Sequence, residues 1–531
     1  GIVYAKDTPN FVANRIITFA MQYLMHHMTE AGLSVEEIDA LTGTAIGHAS
    51  SATFRTADLV GLDTLQKVVG NVRNGCPDDE CLDIMQGPDW FDKMVEKGYL
   101  GNKSGSGFYK ATKERNEKGK RIILGIDPAT VEYRDPVKPR FDCTGAVRSA
   151  GSLEDKIKIM HNSEDAGSKF LFKFFANIAK YAGNRIPEIA DDIVNIDNAC
   201  KWGFAWEVGI FETWDILGFE DVCARMEAEG IELPPIAKTM KEAGVTTFYK
   251  QEDGVDMFFD VASKSYKSVP TNPRELKLVN VKTKSTNIVE KMDDASLIDV
   301  GDGIVCAEFH CKMNAIGPDI VAVLNKGVDL IEEGKFDGMI VANQGPHFCA
   351  GANLMIVLGD AMQENWEGIA NMVKGLQDVG TRMKYCNGPV VAAPHHFTFG
   401  GGVEICQHTD KVVLAGETYA GLVEVGVGVL PAGGGTTELL VRALEYVPAN
   451  VVNADPFPYV RRAFEAIATA KVGTSGAEVI EFGYFRNSDI VLPNYDHQVQ
   501  KAKDVCRGMV VAGYTPPRPP KLYALGATGK A

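Results

Sequence analysis

Three consecutive glycines, Gly400–Gly402, stand shortly after the apolar run Pro389–Ala393 and are followed two positions on by a glutamate, Glu404. The apolar run reads as a buried strand, and the glycines as a turn opening onto a short helix that bears the glutamate. Such a junction aims backbone N–H groups and the positive end of a helix at whatever occupies the turn, which suits a developing oxyanion. Met339–Asn343 reads as another buried strand, and the loop GPHFCAGANL around Gly351 and Ala352 makes a second junction of this kind. A second glutamate, Glu424, lies twenty positions after Glu404 and shortly before the run PAGGG, Pro431–Gly435. Two sets of backbone donors and two carboxylates are the parts needed to polarise a carbonyl and move protons beside it.

With 531 residues, the chain exceeds the roughly 250–300 residues at which single cores stop growing, so more than one domain is expected. The net charge of −16 argues against nucleic acid or an anionic membrane as a broad-surface partner. Eleven scattered cysteines do not resemble a secreted disulfide framework, and a reducing, cytoplasmic location is expected. Cys76 with Cys81 and Cys306 with Cys311 lack zinc spacing, while the adjacent pairs His26–His27 and His395–His396 point to different faces. No metal site is expected. No apolar run approaches the roughly 20 residues that span a bilayer, and no charged-then-apolar leader opens the chain.

The opening GIVYAKDTPNFVANRI reads as a strand exit and turn with something preceding it. From Asn14 the apolar spacing becomes helical, through Ile16, Phe19, Ala20, Tyr23, Leu24 and His27. Asn14 falls in the first turn, where an N-cap-type hydrogen bond is its plain structural role. The chain then nearly repeats itself. Ile38-Asp39 matches Ile196-Asp197, Phe54 matches Phe211, Asp58 matches Asp215 and Gly61 matches Gly218, each copy following an amphipathic helix, Asn14–Met28 and Phe170–Tyr181. This reads as an internal duplication of a helical unit. Residues 119–141, rich in charge and proline, read as a linker, and residues 248–270 as short strands or an extended crossing. An α/β part follows from about Asn272, with a strand at Ile304–Phe309 and a long helix through Ile369, Leu376 and Met383. The ending YTPPRPPKLYALGATGKA reads as a linker or a frayed end.

The motifs FCAGANL (Phe348–Leu354), FGGGVE (Phe399–Glu404) and Glu424 before its glycine run resemble the crotonase (enoyl-CoA hydratase) superfamily. The resemblance implies that the N–H groups of Ala352 and Gly401 form an oxyanion hole for a CoA thioester. It further implies that Glu404 and Glu424 hold a water between them, Glu404 as base toward it and Glu424 delivering a proton to the α-carbon. The family usually has glycine where Ala432 stands, and alanine there costs about 1 kcal/mol if the position takes a positive φ.

DTPNFVANRI (Asp7–Ile16), FRTADLVGLD and GNKSGSGFYK (Gly101–Lys110) resemble the helical C-terminal domain of 3-hydroxyacyl-CoA dehydrogenases. By that resemblance Asn14 holds substrate near a catalytic histidine, which resides in a preceding nucleotide-binding domain. The second copy has no matching Asn-Arg and reads as structural. No stretch supplies the strand, GxGxxG turn, helix and acidic residue of a dinucleotide site, so NAD is implied for the intact protein and bound by no motif here.

The expected architecture is two all-α dehydrogenase-type domains, 1–118 and 146–247, with a linker at 119–145, a connector at 248–271 and a crotonase-type α/β domain at 272–531. Expected partners are acyl-CoA substrates, a thiolase subunit and further copies of the chain. The expected function is β-oxidation: hydration of trans-2-enoyl-CoA and, in the intact protein, oxidation of the 3-hydroxyacyl-CoA formed. Double-bond isomerisation, thioester hydrolysis and a non-catalytic CoA-binding scaffold are the alternatives; retention of both glutamates argues for hydration.

Overall fold

Ser34, Ser152, Asp165 and Asp192 each precede an apolar-periodic run, and the side chain of each accepts a hydrogen bond from the backbone N–H three residues on. Each such cap is worth about 1 kcal/mol. They start the helices Val35–Leu41, Leu153–Asn162, Ala166–Asn184 and Ile193–Phe204. In the computed structural model, which describes residues 1–520 apart from 118, 449, 452 and 453, these helices lie in the first of two units, Gly1–Val269; the second starts at Pro270. The last eleven residues of the expected terminal linker, 521–531, lie outside the described residues.

The first unit is built on Ala13–Glu30 against Ala166–Asn184, with Phe19 stacked on Tyr181 at 4.3 Å. Arg15, fully buried, donates to Tyr181 Oη at 2.7 Å and pairs with the buried Asp79. The unit is not all-helical. Tyr109–Arg115, Arg121–Asp127 and Glu132–Arg134 form one three-stranded antiparallel sheet, and Tyr249–Glu252, Val255–Asp260 and Ser265–Ser268 form another. Residues expected as a linker therefore carry two strands and the helix Asp142–Ala146. Arg134 anchors them by a two-pronged bond to Glu36 at 2.9 and 3.0 Å.

One hydrogen-bond pattern occurs twice. Asp39 accepts from the backbone N–H groups of Phe54 and Arg55 and from Tyr109 Oη, the last at 2.8 Å. Asp197 accepts from those of Phe211 and Glu212 and from Tyr249 Oη, at 2.9 Å. Asp58 takes the N–H groups of Phe108 and Tyr109, and Asp215 those of Phe248 and Tyr249. Gly61 and Gly218 share one backbone conformation, φ 101° and 93°. Asp58→Ala leaves two interior N–H groups without an acceptor and is expected to cost about 2–4 kcal/mol, read as a lower midpoint in urea unfolding.

The second unit holds a seven-stranded mixed sheet in the order Ile490–Leu492, Lys411–Ala415, Val390–Ala392, Gly338–Val341, Ile304–Phe309, Ala295–Asp299, Ile288–Lys291. The first five run parallel and the last two pair antiparallel. The central strands are buried on both faces; Gly338–Val341 and Val390–Ala392 are unbroken apolar runs, and the one carboxylate of Ile304–Phe309, Glu308, is paired with Lys282. The helices Pro318–Glu332 and Trp366–Tyr385 cover one face and Gln498–Val511 the other. A small parallel pair, His396–Phe399 with Thr418–Gly421, stands apart from the main sheet.

Candidate active site

That small pair closes the sequence distance between the two glutamates. Its register sets Phe399 opposite Gly421, so Gly400 leaves one strand beside the residues that lead to Glu424, and the Gly400 N–H donates to Gly421 O at 2.9 Å. Gly400 takes φ 51°, ψ −118°, which side chains exclude. A Cβ on it would lie 2.9 Å from Glu424 Oε1. The glycine thus serves both as hinge into the helix Gly401–Gln407 and as floor beneath the Glu424 carboxylate.

The second junction is pinned alongside. Cys349 N–H donates to Phe397 O at 3.0 Å and Phe399 N–H returns to Cys349 O at 2.9 Å, which carries Gly351 and Ala352 to the glycine turn. A Cβ on Gly401 would lie 3.5 Å from the Ala352 nitrogen. Among the described residues, neither the Ala352 nor the Gly401 N–H has a protein acceptor. Two unspent donors at a helix start make a site for a carbonyl oxygen gaining charge.

Glu404 lies on that helix, 3% exposed, with Oε1 accepting the Gly435 N–H at 2.8 Å. Burial pushes it up to about 7; the amides of Gly435 and Gly433 oppose the rise and the Glu424 charge adds to it. Glu424 opens the turn Glu424–Val427 with Oε2 buried and unpartnered, and burial pushes it too up to about 7. The Glu424 charge reaches Glu404, and two carboxyl groups raised toward neutrality can serve one as acid and the other as base. Ala432 keeps a negative φ, so its expected strain does not arise; the left-handed position in the run is Gly434, at φ 114°. The hold of Gly435 on Glu404 went unread in the sequence, although the glycine run was its signal.

Exposed apolar side chains flank both groups along the chain: Leu354 and Met355 beyond Ala352, Val425 and Val427 beyond Glu424. In the first unit, Asn14 is exposed in the first turn of its helix, whose N-cap is Val12, so it caps nothing. One and two turns on, Ile17 and Met21 line an apolar cleft with Leu24, Phe174 and the stacked pair His48–Trp206. Asn14 is distant in the chain from the glutamates, and the two belong to separate units.

Residues 11–111 match the family model described as 3-hydroxyacyl-CoA dehydrogenase, C-terminal domain, and residues 301–452 match enoyl-CoA hydratase/isomerase. The chain is 37% identical to a probable 3-hydroxyacyl-CoA dehydrogenase of Bacillus subtilis over 531 residues, covering 100% of the chain and 65% of the relative. It is 25% identical over 447 residues to a putative fatty acid oxidation complex trifunctional enzyme of Rickettsia prowazekii, covering 83% of the chain and 56% of the relative. The chain thus spans 56–65% of the length of these relatives. A probable 3-hydroxyacyl-CoA dehydrogenase of Deinococcus radiodurans is 49% identical over 134 residues, 25% of this chain and 38% of its own.

Proposed function

We propose that this chain, in which a 3-hydroxyacyl-CoA dehydrogenase C-terminal domain is joined to a domain of the enoyl-CoA hydratase/isomerase family, hydrates trans-2-enoyl-CoA. The observation that carries the proposal is the paired setting of Glu404 and Glu424 beside the two unspent N–H groups of Ala352 and Gly401. A thioester oxygen accepting both donors leaves its β-carbon electrophilic. Ionised Glu404, steadied by Gly435, takes a proton from water as the water oxygen bonds to that carbon. Protonated Glu424 gives its proton to the α-carbon, so one water is consumed and the pair ends with its proton exchanged.

The 3-hydroxyacyl-CoA so formed is the substrate class of the dehydrogenase family, and in the intact protein its oxidation by NAD would follow. Asn14, exposed at the head of the apolar cleft, is our candidate for holding that substrate. The glycine clusters of this chain do not fit NAD: Gly107 packs on the carboxylate of Asp58 and Gly433 on that of Glu404, and each carboxylate would repel a diphosphate. The oxidation is therefore taken no further. A thiolase is the partner that would consume the 3-oxoacyl product. The eleven free cysteines support a reducing, cytoplasmic placement. The recurrent Asp39/Asp197 and Asp58/Asp215 patterns support two copies of one helical unit, near 1–118 and 146–247.

The test is loss of the conjugated-thioester absorbance when the chain meets crotonyl-CoA without nicotinamide. Turnover is expected. A folded chain that binds the CoA ester and leaves the absorbance unchanged would point to the scaffold role instead.

A further inference from the structure

Behind Glu404 stands a buried histidine that the mechanism does not use. His408 caps the helix Gly401–Gln407, 6% exposed, and its Nδ1 lies 2.7 Å from the carbonyl oxygen of Glu404. A carbonyl only accepts, so Nδ1 carries the proton, and the side chain satisfies one of the orphan carbonyls of a helix end. The ring fills a slot cut by two glycines. A Cβ on Gly380 would lie 2.9 Å from the ring, and one on Gly434 would lie 2.5 Å from it. Gly434 is the neighbour of Gly435, whose amide holds the Glu404 carboxylate. One imidazole thus touches both the backbone of Glu404 and the turn that grips its side chain.

We propose that His408 is a positioning residue for Glu404, its Nδ1–H fixing the Glu404 carbonyl while its ring braces the Gly433–Gly435 turn against the carboxylate. The proposal rests on the reading of Glu404 as the hydratase base. The charged groups around the ring are Glu438, whose Oε1 lies 3.9 Å from Nε2, Lys384, which bonds both Glu438 oxygens at 2.7 and 2.8 Å, and the buried Arg442. Burial holds His408 below the usual histidine range, with Glu438 and the Glu404 carbonyl pulling the other way. The neutral ring keeps one proton, and the carbonyl claims it for Nδ1.

The test compares three variants. His408→Leu keeps bulk but no donor, His408→Asn places an amide where Nδ1 stood, and His408→Gln places one nearer Nε2. H408L is expected to lower kcat about 10- to 100-fold with KM unchanged. It should also move the ionisation of Glu404 up by about half to one pH unit as the Gly435 bond slackens. That ionisation is read without turnover, from the carboxyl infrared band lost in Glu404→Gln. H408N should return both readings toward wild type, and H408Q should behave as H408L does, which keeps the comparison intact if H408L fails to fold. Equal infrared titrations in wild type, H408N and H408Q would overturn the proposal. An inactive wild type whose Glu404 titration still shifts in H408Q would overturn the hydratase reading and leave the hold on Glu404 standing.

Discussion

Glu424→Gln is expected to slow hydration of crotonyl-CoA by about 10²–10⁴-fold, the span of a single acid–base group, while KM for the thioester changes little. Glutamine matches the carboxyl in size, so the floor at Gly400 is kept and only the transferable proton goes. Binding rests on the Ala352 and Gly401 N–H groups, which the change does not touch. The variant is also expected to be more stable than wild type above pH 7. Burial raises Glu424 to about 7, so between its ordinary carboxylate range and that value the folded state holds a proton that the unfolded chain releases. Stability from this group is therefore greatest at low pH and lost as pH rises through about 7. Glutamine never ionises and avoids that loss. A dead variant with a raised unfolding midpoint at pH 8 separates lost chemistry from lost structure, and retained turnover would remove Glu424 from the mechanism.

The same pair sets the pH dependence of the wild type. Catalysis needs one carboxylate ionised and one protonated, and both groups stand near 7. The rate is expected to peak near neutrality and to fall on either side, with the two limbs belonging to the pair and not to one residue. In Glu424→Gln the neighbouring charge that helps raise Glu404 is gone, so the residual Glu404 ionisation moves down. A profile flat from about pH 5 to 9 would contradict the assignment of both groups.

The parts of the site were legible because they are punctuated by glycine. Gly400–Gly402 and the strand before them mark a junction in any α/β chain, and the strand read at Ile304–Phe309 has those same bounds in the structure. The repeat of Ile-Asp, Phe, Asp and Gly was likewise visible as letters, yet its physical content was not. Asp39 and Asp58 look like surface acids until their backbone partners are seen, and each set is completed by a shared Phe-Tyr-Lys, at 108–110 and 248–250, that lies far along the chain from the acids it serves. The two small sheets were hidden for a different reason. Tyr109–Arg115 is exposed at five of seven positions, so it lacks the alternation that betrays a half-buried strand. His408 was silent because its partners lie on two other segments, Gly380 on the helix Trp366–Tyr385 and Gly434 with Glu438 at the start of the helix Gly435–Glu445.

Gly400→Ala is expected to cost about 10²–10³-fold in kcat, the loss attached to one misplaced oxyanion donor. At φ 51°, ψ −118° a Cβ clashes with the chain's own backbone, a strain of about 1–3 kcal/mol. The same Cβ would also press on Glu424, 2.9 Å from Oε1 and 3.2 Å from Cδ. Both strains are relieved by rotating the peptide that joins Gly400 to Gly401, and that peptide carries the Gly401 N–H. The donor then turns from the position where Ala352 would share the thioester oxygen with it, and the Glu424 carboxylate is displaced in the same movement. Loss of fold is not expected, because the Gly400 N–H keeps its bond to Gly421 O and the strand pair above it is unchanged. The check is the split between parameters. A transition-state donor lost should lower kcat far more than it raises KM, whereas an equal change in both would mean that the turn merely seats the substrate.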